Sequence, residues 1–421
     1  MTKKWIGAAL VAVLVMAACS STKSSSSTSS STPSGSGGGA SAPGVTPTEI
    51  HVGSVEYKAF FGDATVGAEA RLKRLNDAGG VYGRKVVIDN TIDDGQDFTA
   101  DLNAAKTLVE QDHDFALVPV MTAAWSANVY MEQQKVPYFG WSIQPTWCHE
   151  QYGFGFEGND CDPSVAPKIS NAVSVEQKLL PGGTARGKTV AFMSEDNNSA
   201  QVSLKSFALG WQMEGAKVVL TDSSMPTPPA VTGDYTPYAQ RVMTANNGQP
   251  ADALVMSMSV ADTLGLYKKL VQLGYKGLIQ DFTLYDPRLA ASTTGLVTEL
   301  ELAPIESAGS VPAVAQMVND VKAYAPSAVI GQAVEAGYWS MDLFVAILQK
   351  VGPNLTRQSF ENVANHFSYD NHGGSPPVSF PAGHTSVTPC FSFVKSNGKN
   401  FDVPVPLTCL QNTIPNPLYK P

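Results

Sequence analysis

The sequence alternates between short apolar runs and amphipathic helical patterns, and this alternation constrains the fold more than any other feature. After residue 46, four apolar runs predict strands, at residues 50–55, 85–88, 115–118 and 137–141. Helical patterns lie between them; Ala68, Leu72 and Leu75, for example, share one face of a helix over residues 64–78. Repeated strand–helix units of this kind are typical of a mostly parallel sheet covered by helices.

The same alternation starts again after an irregular, cysteine-containing stretch at residues 147–167. Its strands are predicted at residues 189–193, 217–220, 253–256 and 277–280. Leu264, Tyr267 and Leu270 indicate a helix between the last two of these strands. An apolar helix is predicted at residues 334–349 and a further strand at 390–394. The sequence therefore predicts the α/β class, with two Rossmann-like lobes that each contain a parallel-rich sheet.

Residues 1–19 have the organisation of an export signal. Lys3 and Lys4 precede an apolar stretch that is shorter than the roughly 20 residues a membrane-spanning helix needs. The stretch ends in Ala17-Ala18-Cys19-Ser20, which resembles the lipobox of bacterial lipoproteins. That resemblance implies lipidation of Cys19 and anchoring to the outer face of the cell membrane. An ordinary secretory signal with a chance cysteine is the alternative.

Residues 20–44 consist almost entirely of Ser, Thr, Gly, Ala and Pro. They show no apolar periodicity, so no burial would offset the entropy of ordering them. We therefore expect a disordered tether between the anchor and the folded part of the chain.

The charge of the chain argues against nucleic acid as a partner. The formal net charge is −9, from 37 acidic and 28 basic residues. Nucleic-acid-binding proteins normally carry a basic patch or stripe.

Signatures of the common catalytic and cofactor sites are absent from the sequence. It contains no GxSxG, P-loop or HExxH pattern, and its six histidines show no metal-binding spacing. The carboxylate pair Asp93-Asp94 is interpreted as turn chemistry, because no partner residue for acid–base or metal chemistry accompanies it. We therefore expect neither enzyme activity nor a cofactor nor a metal.

Four cysteines remain once Cys19 is assigned to the lipid anchor: Cys148, Cys161, Cys390 and Cys409. In an exported protein this even number indicates disulfides. Three pairings are possible, and the local one, Cys148 with Cys161 and Cys390 with Cys409, is preferred. A zinc site is the less favoured alternative because the spacing lacks any CxxC pattern.

A sequence motif of the leucine/isoleucine/valine-binding family of periplasmic binding proteins is similar to the segment Arg74-Leu-Asn-Asp-Ala-Gly-Gly-Val-Tyr-Gly-Arg-Lys85. The similarity continues through residues 92–95, 108–111 and 136–137 and, more weakly, through the second lobe to about residue 399. It implies the type I periplasmic binding protein fold, in which three crossing strands join two lobes that trap a ligand between them.

On this template the chain would cross between the lobes near Pro163, Leu302 and Pro376. Lobe 1 would contain residues 45–163 plus 303–375. Lobe 2 would contain residues 164–302 plus 376–421.

The loops after the first-lobe strands supply the first candidate ligand-binding residues. By the resemblance, Thr122 and Ala123 would offer a hydroxyl and backbone N–H groups to a ligand carboxylate at the start of a helix. Ser142 and Gln144 would help to hold the same carboxylate, and Trp141 would stack on the ligand. The alternatives are that Thr122 is only a helix cap and that Trp141 only packs within the lobe.

The second lobe supplies candidates at the ends of its strands. Asp262 stands where amino-acid-binding members carry an acid for the ligand ammonium, and Ser259 precedes it. Ser199 replaces an aromatic residue of the family pattern, and Asp281 follows the strand at residues 277–280. The alternative for Asp262 is a first-turn acid that interacts with the helix dipole.

Phe60 and Phe61 depart from the small residues of the family pattern and favour a bulky apolar or aromatic ligand. The expected function is a solute-binding lipoprotein of an ABC importer, which captures an amino acid or related small carboxylate. A ligand-sensing receptor component, or a binder of an aromatic or hydrophobic carboxylate, is the alternative. The expected partners are the small-molecule ligand, ABC permease subunits and, through Cys19, the membrane; the chain is expected to be a monomer.

Overall fold

The computed structural model describes residues 42–162, 164, 168–169, 171–410, 414–416 and 419. The export signal, Cys19 and the crossing expected at Pro163 lie outside the described residues.

The first sheet is entirely parallel. Its five strands are β1 (Glu49–Glu56), β2 (Lys85–Asp93), β3 (Ala116–Met121), β4 (Tyr138–Gly140) and β5 (Gly153–Gly155). Their order across the sheet is β2-β1-β3-β4-β5, and each neighbouring pair is parallel. The central strand β3 is buried over its whole length, as expected for an unbroken apolar run in a parallel sheet.

The second sheet is mixed. After the short strand β6 (Lys168–Ile169), the remaining strands are β7 (Thr189–Glu195), β8 (Lys217–Met225), β9 (Ala253–Ser257), β10 (Leu278–Asp281), β11 (Val297–Leu300), β12 (Ser368–Tyr369), β13 (Val378–Ser379), β14 (Cys390–Ser396), β15 (Phe401–Cys409) and β16 (Ile414–Pro415). Seven of them form the sheet in the order β15-β14-β11-β10-β9-β7-β8, in which the pairs β11–β14 and β14–β15 are antiparallel and the other four are parallel. Two parallel-rich sheets confirm the predicted fold class.

Helices cover both faces of each sheet, because each sheet contributes to separate buried clusters on its two sides. The helices are α1 (Lys58–Phe61), α2 (Ala64–Asp77), α3 (Phe98–Glu110), α4 (Asn128–Gln134), α5 (Val173–Glu176), α6 (Asn198–Met213), α7 (Thr236–Thr244), α8 (Val260–Gln272), α9 (Pro312–Tyr324), α10 (Gln332–Val351) and α11 (Arg357–Ala364). In the part of the chain that the structure describes, none of these helices is long and apolar enough to span a membrane.

The helix α10 packs on the first sheet although it follows most of the second sheet in sequence. It contacts α2, β3, β4 and α11, and its apolar side chains belong to the same core cluster as those of β1 and α2. The backbones of α2 and α10 are in close contact at Gly67 and Gly337. We call the first sheet with α1–α4 and α9–α11 lobe 1, and the second sheet with α5–α8 lobe 2.

The last passage between the lobes lies further along the chain than Pro376. Phe380 packs edge-on against Phe154 of lobe 1, and the His384 ring contacts the carbonyl oxygen of Gly153 at 3.1 Å. The backbone N–H of Thr388 still donates to the carbonyl oxygen of Glu157, and β14 begins only two residues later. Residues 377–388 therefore remain with lobe 1, because an aromatic cluster holds them there.

Both local disulfides are present: Cys148 bonds to Cys161 and Cys390 to Cys409. The second disulfide joins the antiparallel neighbours β14 and β15 at the edge of the second sheet. The first closes a loop in the irregular stretch after β4.

Replacing Cys390 and Cys409 together with alanine is expected to lower the free energy of unfolding by about 2–3 kcal/mol. The bond closes a loop with a sequence separation of 19, and its loss restores conformational freedom to the unfolded chain. Urea unfolding of the variant and the parent protein under oxidising conditions measures the difference. An unchanged midpoint and slope would contradict it, and reduction of the parent protein should reproduce at least the same loss.

Candidate functional site

A cavity of about 700 Å³ lies where the carboxyl ends of the strands of both sheets meet. Tyr57 and Trp141 follow β1 and β4 of lobe 1 and line one side of it. Asn197, Met258 and Phe282 follow β7, β9 and β10 of lobe 2 and line the other. Open α/β sheets bind their ligands beyond the carboxyl ends of their strands, so this is the expected place for a ligand.

Aromatic side chains form much of the cavity wall. In lobe 1, the rings of Phe61 and Trp141 meet edge to face at 5.7 Å, and Phe60 lies beside Phe61. In lobe 2, Phe207 of α6 stacks on Phe282 with ring centroids 4.3 Å apart. These residues offer an apolar surface large enough for an aromatic or aliphatic ligand body.

Seven of the predicted ligand-binding residues line this cavity: Phe60, Phe61, Ala123, Trp141, Ser142, Ser199 and Ser259. The serines already have partners within the protein. The Ser142 hydroxyl donates to the carbonyl oxygen of Gly158 at 2.6 Å, and the Ser259 backbone N–H donates to Glu195 at 2.8 Å.

Ser199 links the two lobes directly. Its hydroxyl, on α6 of lobe 2, donates to the carbonyl oxygen of Ile143 in lobe 1 at 2.7 Å. A second link joins the Arg288 guanidinium to Asp63 at 2.7 Å. The lobes are therefore in contact across the cavity.

Thr122 and Gln144 do not line the cavity. The Thr122 hydroxyl oxygen is buried and accepts from the backbone N–H of Ala124. The helix expected to begin there starts only at Asn128, so no helix N-terminus points towards a ligand at Thr122. Gln144 is buried before the short 3-10 turn Pro145–Trp147.

Asp262 and Asp281 are likewise absent from the cavity wall. Asp262 lies in the first turn of α8, but its carboxylate is buried and accepts from the Tyr235 hydroxyl at 2.8 Å. Asp281 is fully buried and accepts from the Thr298 hydroxyl and from the backbone N–H of Leu284. Both carboxylates are satisfied by lobe 2 itself.

The acidic character of the cavity was not predicted from the sequence. Six carboxyl side chains line it: Glu157, Asp160, Glu176, Glu195, Glu299 and Glu301. The described lining residues include no lysine, arginine or histidine. A signal was present in the sequence, because Glu157 and Asp160 precede the crossing expected at Pro163, and Glu299 and Glu301 precede the one expected at Leu302.

The carboxyl groups of the cavity are held towards their protonated forms. Burial, followed by repulsion from Asp160, raises the pKa of Glu301 to about 7. Burial raises the pKa of Glu176 to about 8. Burial and the neighbouring Glu176 and Glu301 raise the pKa of Glu299 well above its usual range. These groups repel one another, and the described lining residues include no cationic side chain to balance them. A cation placed beside them would lower their pKa values and favour their ionised forms.

The described part of the chain contains no group of three or more His, Cys, Asp or Glu side chains arranged to hold a metal ion.

A family model described as "Periplasmic binding protein" matches residues 54–400. No curated protein sequence matches the chain significantly.

Several solved structures share the fold. A fatty acid ABC transporter substrate-binding protein from Thermomonospora curvata is 17% identical, with a TM-score of 0.71 over 88% of this chain and 95% of that one. An R. palustris solute-binding protein in complex with 4-hydroxybenzoate is 17% identical, with a TM-score of 0.67 over 86% and 98%. A branched-chain amino acid transporter substrate-binding protein from Streptococcus pneumoniae, in complex with isoleucine, is 15% identical, with a TM-score of 0.67 over 86% and 100%.

Proposed function

The chain belongs to the periplasmic binding protein family, and from this membership we propose that it captures a small organic solute outside the cytoplasm and delivers it to an ABC permease. The observation that carries the proposal is the cavity of about 700 Å³, which residues of both lobes line at the carboxyl ends of their strands. Enclosure between two lobes lets the energy of binding favour a closed form that a permease can recognise.

The solute would be bound without being altered. The cavity wall carries aromatic rings and carboxyl groups, and the sequence contains none of the common nucleophile signatures. Phe60, Phe61 and Trp141 would contact the apolar body of the solute. The similar structures, which include a fatty acid ABC transporter substrate-binding protein and complexes with 4-hydroxybenzoate and isoleucine, support a ligand with such a body.

Cys19 would anchor the protein to the outer face of the membrane through a lipid. The lipobox-like sequence that ends at this residue supports the proposal, as does the Ser- and Gly-rich composition of residues 20–44. Metabolic labelling with a fatty acid, compared between the parent chain and Cys19→Ala, tests it.

Filling the cavity is expected to abolish ligand binding. Ser203 lines the cavity on α6, so Ser203→Trp places an indole ring in the space a ligand would occupy. Lys205→Trp is the matched control, because Lys205 is exposed on the same helix and does not line the cavity. Thermal-shift measurements with amines, amino acids, aromatic carboxylates and fatty acids should identify ligands, since a ligand at 100 times its Kd stabilises by about 2.7 kcal/mol.

The parent protein and Lys205→Trp should respond to the same compounds, and Ser203→Trp to none of them. A response that survives in Ser203→Trp would contradict binding in this cavity. The absence of any response in the parent protein would contradict solute capture for these compound classes.

A further inference from the structure

Five carboxyl side chains that line the cavity, here called the acidic wall, are Glu157, Asp160, Glu176, Glu299 and Glu301. We propose that this acidic wall selects a solute that carries a protonated amine without a compensating carboxylate, that is, an organic cation with an apolar body. The inference rests on the proposed function and names the chemical class of the solute.

Two carboxyl side chains that line the cavity have buried acceptor atoms without partners. Glu157 is 2% exposed, and its Oε1 accepts from Ser142 while its Oε2 has no partner. Glu176 is 1% exposed, and its Oε1 has no partner. An unsatisfied buried acceptor costs free energy, so a ligand that brings N–H donors would bind favourably to both groups.

The amide of Gln280 gives independent evidence of the same kind. Gln280 is 1% exposed, lines the cavity and donates through Nε2 to Glu299 at 2.6 Å. Donation through the nitrogen leaves Oε1 as an acceptor, and Oε1 has no partner. The neutral side chain of Gln280 thus also has an acceptor oxygen that receives no hydrogen bond. A primary ammonium, which has three N–H groups, could donate to this oxygen and to the carboxyl groups.

A ligand carboxylate would find no cationic side chain among the described residues that line the cavity. The hydroxyls of Ser142 and Ser199 already donate to backbone carbonyls. A carboxylate close to the acidic wall would also be repelled by every ionised member of it. The wall therefore discriminates against anions as well as attracting cations.

The aromatic side of the cavity is compatible with the same ligand class. Trp141 and Phe282 line the cavity together with the acidic wall. Aromatic faces attract cations and pack against apolar groups, so an apolar amine would have both of its parts matched.

The test compares ligands that share a body and differ in charge. Phenethylamine, 2-phenylethanol, phenylalanine and 3-phenylpropionate form one set; octylamine, 1-octanol and octanoate form a second. Binding to the purified protein is measured by calorimetry and thermal shift near neutral pH. The amine of each set should bind most tightly, and phenethylamine should bind at least about tenfold more tightly than phenylalanine.

The double variant Glu299→Gln/Glu301→Gln should weaken binding of the amine by about 30-fold or more, because two charge-assisted hydrogen bonds are lost while side-chain size is retained. Glu335→Gln is the matched control, since Glu335 is a fully buried carboxyl outside the cavity wall. It should leave the affinity unchanged. Far-ultraviolet circular dichroism and Tm establish that both variants are folded.

Tighter binding of a carboxylate or an alcohol than of the matching amine would overturn the inference and leave solute capture intact. Amine binding that is equal in the parent protein and in Glu299→Gln/Glu301→Gln would overturn the role of the acidic wall. If no compound of either set binds, the organic-cation class is contradicted, and the wider thermal-shift panel with Ser203→Trp decides separately whether solute capture stands.

Discussion

Replacing Gly337 with leucine is expected to prevent lobe 1 from folding, and replacing either Gly337 or Gly67 with alanine should destabilise the protein by about 3 kcal/mol. A Cβ atom at Gly337 would lie 2.0 Å from the carbonyl oxygen of Ala64. A Cβ atom at Gly67 would lie 1.9 Å from the carbonyl oxygen of Val334. Both obstacles are backbone atoms, so α2 and α10 would have to move apart, and the core between them would open.

The sign of the change in stability distinguishes the contact between the helices from the helix propensity of the new residue. Alanine in place of a mid-helix glycine normally stabilises a helix by roughly 1 kcal/mol, whereas the contact between α2 and α10 predicts a loss. Gly309→Ala is the control, because no atom lies within 4 Å of its added Cβ. Urea unfolding measures all three alanine variants. A Gly67→Ala or Gly337→Ala protein as stable as the parent would show that the helices can separate without cost.

The ligand-free protein is expected to lose at least about 4 kcal/mol of stability between about pH 6 and about pH 8. Burial raises the pKa of Glu56 and Asp101 to about 7, and that of Asp114 and Glu176 to about 8. In the unfolded chain these groups ionise near their ordinary values, close to pH 4. Their contribution to stability is fully present below the pKa of the unfolded state, and it is lost as the pH rises through the pKa of the folded state.

One buried group acts in the opposite direction, and most of its effect falls below pH 6. Burial lowers the pKa of His384 to about 4, so its contribution is lost as the pH falls below the ordinary histidine value of about 6.5. Urea unfolding at several pH values between about 6 and 8 measures the slope. Stability that rises with pH over this range would contradict the expectation. Glu176→Gln should flatten the slope, because it removes one of the carboxyl groups that titrate in this range.

Periodicity predicted the fold well because strand and helix patterns are local properties of the chain. An unbroken apolar run predicts the strand β3. A one-sided apolar pattern predicts the helix α2, at Ala68, Leu72 and Leu75. The third crossing was misplaced for the converse reason. Phe380 stays with lobe 1 through its contact with Phe154, more than 200 residues earlier in sequence, and no local pattern encodes that contact.

The candidate site was only partly predictable, because position on an element does not fix where a side chain points. Asp262 was correctly placed in the first turn of a helix, yet its carboxylate accepts from the Tyr235 hydroxyl and does not line the cavity. Glu299 and Glu301 are two residues apart and therefore share one face of an extended segment. The sequence does not show that this face borders the cavity, since that depends on how the two lobes meet.

The disulfide between Cys148 and Cys161 connects the formation of the cavity wall to the redox state of the compartment. Glu157 and Asp160 belong to the loop that this bond closes, and Cys161 itself borders the cavity. Loop closure restricts the positions of both carboxyl groups before any solute arrives. Oxidation of these thiols would therefore help to order the cavity wall, and the reducing cytoplasm does not favour that step.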